Sequence, residues 1–330
     1  MTAKTSGLTV AVTGPTGTFG FGLLPLLQAD DRVGTIVGIA RRPFDPSEHG
    51  WSKMEYRRGD VRDEAALKEA FTGADVVVHL AFLIIGGDNE TTRSINVEGT
   101  LNVFRAAAAA GAKRFVYASS VAAYGFGADL PDVISEDWPT RPAHRLFYAQ
   151  EKAELEALLA DEAASHPELA LYLLRPPVVL GPHTLGAKEL PGPLGPLSRR
   201  LGGRLPRTPI PFPALVPDLP LQFIHEDDVG QALLQCVVAA GPPGAYNIAG
   251  DGVLSAVDVA REIGLRPLRL PAGPAHFAAR TVSRVPFLPS FASWVEAMSQ
   301  PAIMDTTRAK TELGWTPQYT GLEALRATLR

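Results

Sequence analysis

The feature that most constrains the fold of this chain is a repeated alternation of short apolar segments with longer helix-like ones. Apolar runs at 8–12 (LTVAV), 35–40 (TIVGIA) and 76–82 (VVVHLAF) are separated by stretches whose apolar residues have helical spacing. This order is typical of βαβ units, whose strands lie parallel in one sheet. Because the runs are apolar at nearly every position, we expect helices on both faces of the sheet. The sequence therefore predicts an α/β fold built on a doubly wound parallel sheet.

The alternation continues to residue 181 and then gives way to a segment of different character. Residues 182–221 are so rich in proline and glycine that long regular elements are not expected there. Strand-like and helix-like segments return at 222–250. We therefore predict one domain over 1–181, completed by elements of 222–250, and a smaller lobe and lid formed mainly by 182–330.

Composition excludes several classes of function. Lysine and arginine number 31 against 35 acidic residues, so the net charge of −4 offers no basic surface to nucleic acid. The single cysteine, Cys236, lies in a helix-like apolar segment and cannot form an internal disulfide. None of the seven histidines has the spacing of metal ligands, so no metal site is predicted.

The same composition bears on localisation. The first residues do not have the pattern of a secretory leader. The most apolar helical stretch, 275–298, is interrupted by charged residues and prolines that a lipid bilayer would tolerate badly. We therefore expect a cytoplasmic protein without a membrane span.

A glycine-rich loop follows the first predicted strand directly. It reads Gly-Pro-Thr-Gly-Thr-Phe-Gly over residues 14–20 and leads into a helix-like segment. Glycines at this spacing let the backbone approach a pyrophosphate, while the start of the helix offers N–H groups and the positive end of its dipole. The loop predicts a dinucleotide site, and an ordinary glycine turn is the alternative. The candidate residues are Gly14, Thr16, Gly17, Thr18, Phe19 and Gly20.

Further motifs follow this loop in order along nearly the whole chain. They are Asp60-Val61, His79-Leu80-Ala81, Asn96-Val97-Glu98-Gly99-Thr100, Ser119-Ser120 before Tyr124-Gly125, Tyr148-Ala149-Gln150-Glu151-Lys152, Arg175-Pro176, Gly181-Pro182 and residues 223–229 (FIHEDDV). With this set the chain resembles the extended short-chain dehydrogenase/reductases, also called the NAD-dependent epimerase/dehydratase family. The resemblance implies a Rossmann-type sheet with a smaller C-terminal substrate-binding lobe. It also implies a homodimer that pairs through helices near 96–111 and 146–163.

The resemblance assigns a catalytic group to Ser120, Tyr148 and Lys152. In the family the tyrosine passes a proton to or from the substrate oxygen while hydride moves between substrate and nicotinamide. Because the ordinary pKa of a phenol is about 10, a nearby ammonium has to favour its ionised form. Lys152 lies four residues after Tyr148, on the same helix face, and in the family its ammonium also bonds the nicotinamide ribose. Ser119 is the alternative to Ser120 as the hydroxyl that bonds the reacting oxygen.

The choice of cofactor depends on the residues after the second predicted strand. An acidic residue there would accept the ribose hydroxyls of NAD, but this chain has Arg41 and Arg42. Guanidinium groups bind phosphate through paired charge-assisted hydrogen bonds, so NADP is preferred and NAD is the alternative. Two solvated arginines are the other interpretation. The remaining residues expected along the cofactor are Asp60 and Val61 at the adenine, with Leu80, Ala81, Asn96 and Pro176 towards the nicotinamide.

Two departures from the sugar-nucleotide enzymes of the family narrow the function. Val178 stands where those enzymes often carry an asparagine, and Val121 and Ala122 follow Ser120 where sugar dehydratases carry an acidic pair. The missing polar groups count against a nucleotide-sugar substrate and against dehydration. We therefore expect an oxidoreductase that interconverts a carbonyl and a secondary alcohol on a small or medium-sized, partly apolar metabolite. The alternatives are a nucleotide-sugar epimerase that retains its cofactor and a non-catalytic nucleotide-binding protein on the same fold.

Overall fold

The computed structural model describes residues 7–84, 88–143, 146–184, 213–270 and 300–329. Most of the predicted lid lies outside the described residues. Numbered along the chain, the strands are β1 (Leu8–Thr13), β2 (Val33–Ala40), β3 (Met54–Arg58), β4 (Val76–His79), β5 (Arg114–Ala118), β6 (Ala170–Arg175), β7 (Val178–Leu180), β8 (Pro213–Pro217), β9 (Pro220–Leu221), β10 (Phe223–His225), β11 (Gly244–Asn247), β12 (Leu254–Ser255) and β13 (Arg266–Leu270). The α-helices are α1 (Thr18–Ala29), α2 (Glu64–Ala70), α3 (Asn89–Arg93), α4 (Gly99–Ala109), α5 (Phe147–Ser165), α6 (Glu226–Val237), α7 (Ala256–Glu262), α8 (Thr307–Glu312) and α9 (Gly321–Leu329). Within these ranges no helix is long and apolar enough to cross a membrane.

A central sheet of seven parallel strands organises the described part of the chain. The strand order is β11-β6-β5-β4-β1-β2-β3, and each neighbouring pair runs in the same direction. The doubly wound parallel sheet predicted from the sequence is therefore confirmed. The chain moves outward from β1 in both directions, so a crevice opens at the carboxyl ends of β1 and β4, where sheets of this kind bind ligands.

The sheet is covered on both faces because successive residues of each strand point to opposite sides. On β1, Val10 and Val12 belong to one buried cluster and Ala11 belongs to the other. The first cluster is closed by apolar residues of α1 and α6, and the second by those of α2, α4 and α5. This two-sided burial explains why the strands are apolar at almost every position.

Helices α1 and α6 cross at very close range because each carries a glycine at the contact. A Cβ atom built on Gly22 would lie 2.2 Å from the carbonyl oxygen of Glu226. One built on Gly230 would lie 2.1 Å from the carbonyl oxygen of Gly22. Neither position has room for a side chain, so the pair of glycines fixes the distance between the two helices.

We expect Gly230→Ala to lower the free energy of unfolding by about 1–3 kcal/mol, because its methyl group would overlap Gly22 and force α1 and α6 apart. Urea denaturation of the two proteins measures the difference. The adjacent substitution Gln231→Ala, at a partly exposed position of the same helix, is the control and should leave stability nearly unchanged. Equal stability of Gly230→Ala and the parent protein would contradict the close packing described.

Candidate active site

The glycine-rich loop lies at the crevice between β1 and β4. Gly14 has a φ of +69°, in the left-handed region that favours glycine. Its N–H donates to the carbonyl of Ile39 on β2 at 3.0 Å. A Cβ atom at Gly14 would lie 2.7 Å from the backbone nitrogen of Ala81, so the loop touches the segment that follows β4. The loop thereby brings Leu80 and Ala81 to the edge of the crevice.

The other two glycines of the loop differ in what requires them. At Gly20 a Cβ atom would lie 1.9 Å from the carbonyl oxygen of Pro15, so the packing of the protein itself excludes a side chain there. At Gly17 the backbone has a φ of −90°, and a Cβ atom would meet only the carbonyl oxygen of Gly14, at 3.5 Å. The fold therefore does not need glycine at residue 17. A group that approaches the loop from outside would need it.

Helix α1 begins immediately after Gly17. Among the described residues no side chain caps this helix start. The side chain of Thr18 turns aside, where its hydroxyl donates to the carbonyl of His183 at 3.1 Å, and Phe19 packs against the buried cluster beneath the helix. Thr16 is partly exposed on the loop. A loop without obstructing side chains followed by a helix start is an arrangement that binds phosphate groups.

The arginines after β2 have exposed side chains on a backbone that β3 holds in place. Arg58 Nε donates to the carbonyl of Arg41 at 3.0 Å, and the Tyr56 hydroxyl donates to the carbonyl of Arg42. Both Arg41 and Arg42 are exposed. The two guanidinium groups therefore extend from a backbone that β3 holds in place. They lie just after β2, at the end of the strand where the adenosine is expected to bind.

Asp60 and Val61 lie beside these arginines. Asp60 is held by a two-pronged ion pair with Arg62, at 3.0 Å from Nε and 2.8 Å from Nη2. Those hydrogen bonds lower the pKa of Asp60, against the opposing effect of burial, so it stays ionised at neutral pH. Val61 is buried against Gly99. A Cβ atom built on Gly99 would lie 2.5 Å from a methyl group of Val61.

The Ser120 hydroxyl lies close to the Tyr148 hydroxyl and acts to lower the pKa of that phenol. Ser120 lies just after β5, and Tyr148 is the second residue of α5, so the two elements meet at the carboxyl edge of the sheet. Ser119 points elsewhere, because its buried hydroxyl donates to Glu156 Oε1 at 2.5 Å. Of the two serines left open by the sequence, Ser120 is the one that contacts Tyr148.

Lys152 is buried beneath this pair. Its Nζ donates to the Tyr117 hydroxyl at 3.0 Å and to the carbonyl of Ala118 at 2.8 Å. The nitrogen lies 5.9 Å from the centre of the Tyr148 ring. Burial lowers the pKa of Lys152 to about 7, while the carboxylates of Glu156 and Glu151 act in the opposite direction. Burial therefore makes Lys152 give up its proton more readily than an exposed lysine does.

The pKa of Tyr148 moves in the opposite direction to the one expected from its lysine. Burial raises it to about 12, and the Ser120 hydroxyl acts to lower it. Burial is thus the largest influence on the phenol in the described structure, and stabilisation of the phenolate by Lys152 stays a prediction. At neutral pH the phenol keeps its proton.

A buried ion pair that the sequence reasoning missed supports the catalytic group. Glu156, one helical turn after Lys152, accepts from Arg175 Nη2 at 2.5 Å, and both side chains are almost fully buried. Arg175 also donates to the Tyr124 hydroxyl at 2.7 Å, which in turn donates to Asn247 at 2.8 Å. Removing one partner of a buried pair costs about 3–5 kcal/mol. The available signal was a charged residue, Arg175, at the end of an otherwise apolar strand.

Asn96 and Pro176 occupy supporting positions around the site. The Asn96 side chain is buried and bonds both backbone groups of Leu83, accepting from its N–H at 2.7 Å and donating to its carbonyl at 2.9 Å. The carbonyl of Pro176 accepts the N–H of Val121 at 2.9 Å. Asn96 therefore fixes the segment after β4, and Pro176 fixes the turn after Ser120. Their direct contact with a cofactor stays a prediction.

The described sheet and its flanking helices define an α/β protein of the Rossmann type. The model of the NAD dependent epimerase/dehydratase family matches residues 10–249, and the chain belongs to that family. An uncharacterised protein of Mycobacterium tuberculosis is 27% identical over 324 residues, which cover 96% of this chain and 81% of the relative. A 3β-hydroxysteroid dehydrogenase/decarboxylase of Arabidopsis thaliana is 33% identical over 131 residues, 39% of this chain and 30% of the relative. The solved structure of MoeE5 with UDP-glucuronic acid and NAD is 26% identical, covers 97% of both chains and has a TM-score of 0.69.

We expect Gly17→Ala to weaken binding of NAD and NADP at least about tenfold, because its methyl group would occupy the space that a pyrophosphate needs. The free energy of unfolding should change by no more than about 1 kcal/mol, since nothing in the fold excludes that methyl. Calorimetric titration and urea denaturation measure the two quantities. Gly20→Ala is the matched control and should be clearly destabilised. Normal dinucleotide affinity in Gly17→Ala would show that the loop is an ordinary turn.

Proposed function

We propose that the protein is a nicotinamide-dinucleotide-dependent oxidoreductase that interconverts a carbonyl and a secondary alcohol. The observation that carries the proposal is that Ser120, just after β5, and Tyr148, at the start of α5, come together at the carboxyl edge of the sheet beside the buried Lys152. The glycine-rich loop lies at the same edge, across the crevice between β1 and β4. Proton transfer and dinucleotide binding thus fall within one site.

The residues present fit a dinucleotide along this edge. The loop of residues 14–20 would hold the pyrophosphate, and the exposed arginines after β2 would face the adenosine. When bound, the nicotinamide supplies or accepts the hydride. The protein supplies the remaining parts: a hydroxyl pair for the reacting oxygen, a lysine beneath it, and a segment after β4 that Asn96 holds at the wall of the crevice.

The proton chemistry favours the reductive direction. Because its pKa stands at about 12, the Tyr148 phenol carries its proton at neutral pH and can donate it to an oxygen that acquires negative charge. The single proton of the neighbouring Ser120 hydroxyl can turn from the phenol to the same substrate oxygen and donate a hydrogen bond to it. Lys152, whose Nζ lies 5.9 Å from the centre of the Tyr148 ring, would stabilise by its charge the phenolate that remains after the transfer.

Two exposed apolar side chains support a partly apolar substrate. Val178, at the position where an amide would mark a sugar-nucleotide enzyme, is 45% exposed, and Ile84 after β4 is 54% exposed. Pockets for small organic molecules are lined mainly by apolar side chains. The partial relative from Arabidopsis thaliana, described as acting on a hydroxysteroid, supports the same class of chemistry.

A nucleotide-sugar epimerase is the second candidate, favoured by the likeness to MoeE5 bound to UDP-glucuronic acid and NAD. An epimerase oxidises and reduces the same carbon, so it keeps its dinucleotide through each cycle. A dehydrogenase releases the dinucleotide each time. Denaturing the purified protein and assaying the supernatant for released dinucleotide distinguishes an epimerase from a dehydrogenase. An epimerase would also turn over without added cofactor.

We further propose that NADP is preferred over NAD, on the strength of Arg41 and Arg42 at the end of β2 and the lack of a carboxylate on either residue. The pairing of two copies through α4 and α5 stays a prediction.

Tyr148→Phe should reduce turnover at least about a hundredfold while leaving dinucleotide affinity unchanged, because it removes only the ionisable oxygen. Steady-state rates over a panel of carbonyl compounds and alcohols, with dinucleotide titrations alongside, measure both. Tyr172→Phe, which removes a hydroxyl bonded to the carbonyl of Gly241 far from the site, is the matched control. Near-normal turnover in Tyr148→Phe would leave the non-catalytic alternative as the better account.

The double substitution Arg41→Ala, Arg42→Ala should weaken NADP at least about tenfold more than NAD, because only NADP carries the adenosine 2′-phosphate. Adding Ala40→Asp should turn the preference towards NAD, since a carboxylate accepts ribose hydroxyls and repels phosphate. Titrations of both dinucleotides measure the ratio. The double variant Arg261→Ala, Arg326→Ala removes the same charge from exposed pairs elsewhere and serves as control. Equal losses for the two dinucleotides would mean that Arg41 and Arg42 are solvated charges.

A further inference from the structure

The segment that follows β4 places an aromatic ring against the lysine of the site. The centre of the Phe82 ring lies 3.7 Å from Lys152 Nζ, closer than the ring of Tyr117 at 4.6 Å or that of Tyr148 at 5.9 Å. The same Phe82 ring meets the Tyr148 ring edge to face, with centres 5.6 Å apart. Phe82 therefore contacts both members of the predicted proton-transfer group.

The ring is held there by a side-chain clamp. The Asn96 amide bonds both the N–H and the carbonyl of Leu83, the residue next to Phe82. Asn96 Nδ2 also donates to Glu151 Oε2 at 2.8 Å. Because Glu151 directly precedes Lys152 on α5, the clamp joins the backbone that carries the ring to the helix that carries the ammonium. The distance between ring and ammonium is thus fixed at both ends.

We propose that Phe82 is a positioning residue for the proton-transfer group, holding the Lys152 ammonium beside Tyr148 through the face of its ring. This inference rests on the proposed function of Tyr148 and Lys152.

The groups around the Lys152 ammonium explain how the Phe82 ring acts on it. Lysine has three N–H donors, and among the described residues Tyr117 and Ala118 supply oxygen acceptors. The face of the Phe82 ring attracts the positive charge of the ammonium even though it has no oxygen acceptor. It therefore favours the charged form of the amine at a site where burial disfavours it.

Several other titratable groups act on the same nitrogen. They are Tyr117 on β5, His79 on β4, and Tyr148, Glu151 and Glu156 on α5. All of them remain in place when Phe82 is replaced, and a comparison of Phe82→Leu with Phe82→Tyr separates the contribution of the ring from that of packing against Tyr148.

The test is a pH titration of Lys152 in the protein without dinucleotide, followed by NMR of ¹³C-labelled lysine side chains. The Lys152 resonance is assigned by its loss in Lys152→Met. Phe82→Leu keeps an apolar side chain but removes the π face, so we expect the acid dissociation constant of Lys152 to rise by about three- to tenfold. Phe82→Tyr keeps the ring and should restore the parent value. The pH profile of kcat should move in the same direction in Phe82→Leu and return in Phe82→Tyr.

An unchanged dissociation constant in Phe82→Leu would overturn the inference. So would an equal shift in Phe82→Leu and Phe82→Tyr, since packing and not the π face would then be the cause. Failure of the proposed function has a different signature: the parent protein would bind neither NAD nor NADP, while the titration of Lys152 would still decide whether the ring acts on the ammonium.

Discussion

The buried ion pair between Glu156 and Arg175 is the interaction on which the site depends most. It joins α5 to β6 inside the protein, where two charges can persist only if each is fully satisfied. Glu156 also receives the hydroxyl of Ser119, and Arg175 also reaches Tyr124. The two ends of the segment that carries Ser120 are thereby fastened to the same pair. The backbone at Ser120 is extended, so with Ser119 turned inward the Ser120 side chain lies on the opposite side, towards Tyr148.

Burial then sets the proton chemistry of the groups above the pair. The absence of water raises the pKa of Tyr148 to about 12 and lowers that of Lys152 to about 7, so both groups are driven towards their neutral forms. Glu151 and Glu156 partly restore the charge of the lysine. In the free protein the Tyr148 phenol is therefore protonated. The neighbouring Lys152 can take up a proton when negative charge appears on that phenol. This is the electrostatic arrangement that proton donation to a substrate oxygen requires.

Much of the fold could be predicted from the sequence, because a sheet covered on both faces leaves a clear apolar pattern and the loop at Gly14 has a fixed chemistry. The edge strand β3 leaves no such pattern, since its sequence, MEYRR, has little apolar character. The choice between Ser119 and Ser120 could not be made from sequence, because adjacent residues of a strand differ only in the face they occupy. The upward shift of the Tyr148 pKa could not be predicted from the sequence either, because a sequence shows which charges are near along the chain but not how deeply a side chain is buried. The ring of Phe82 beside Lys152 depends on the course of a loop that no local pattern specifies.

The glycine contact between α1 and α6 has a consequence for how the chain is made. Helix α1 leaves the ribosome well before α6 and the outer strand β11, which come from far along the chain. At roughly 5–20 residues per second, synthesis of the roughly 200 residues between α1 and α6 takes about 10–40 seconds, and during this time the apolar face of α1 and one edge of the sheet have no partner. The nascent chain therefore has to be protected during this interval, and chaperones that bind exposed apolar segments are the cellular machinery suited to it. The contact between α1 and α6 can therefore form only after α6, far along the chain, has been synthesised.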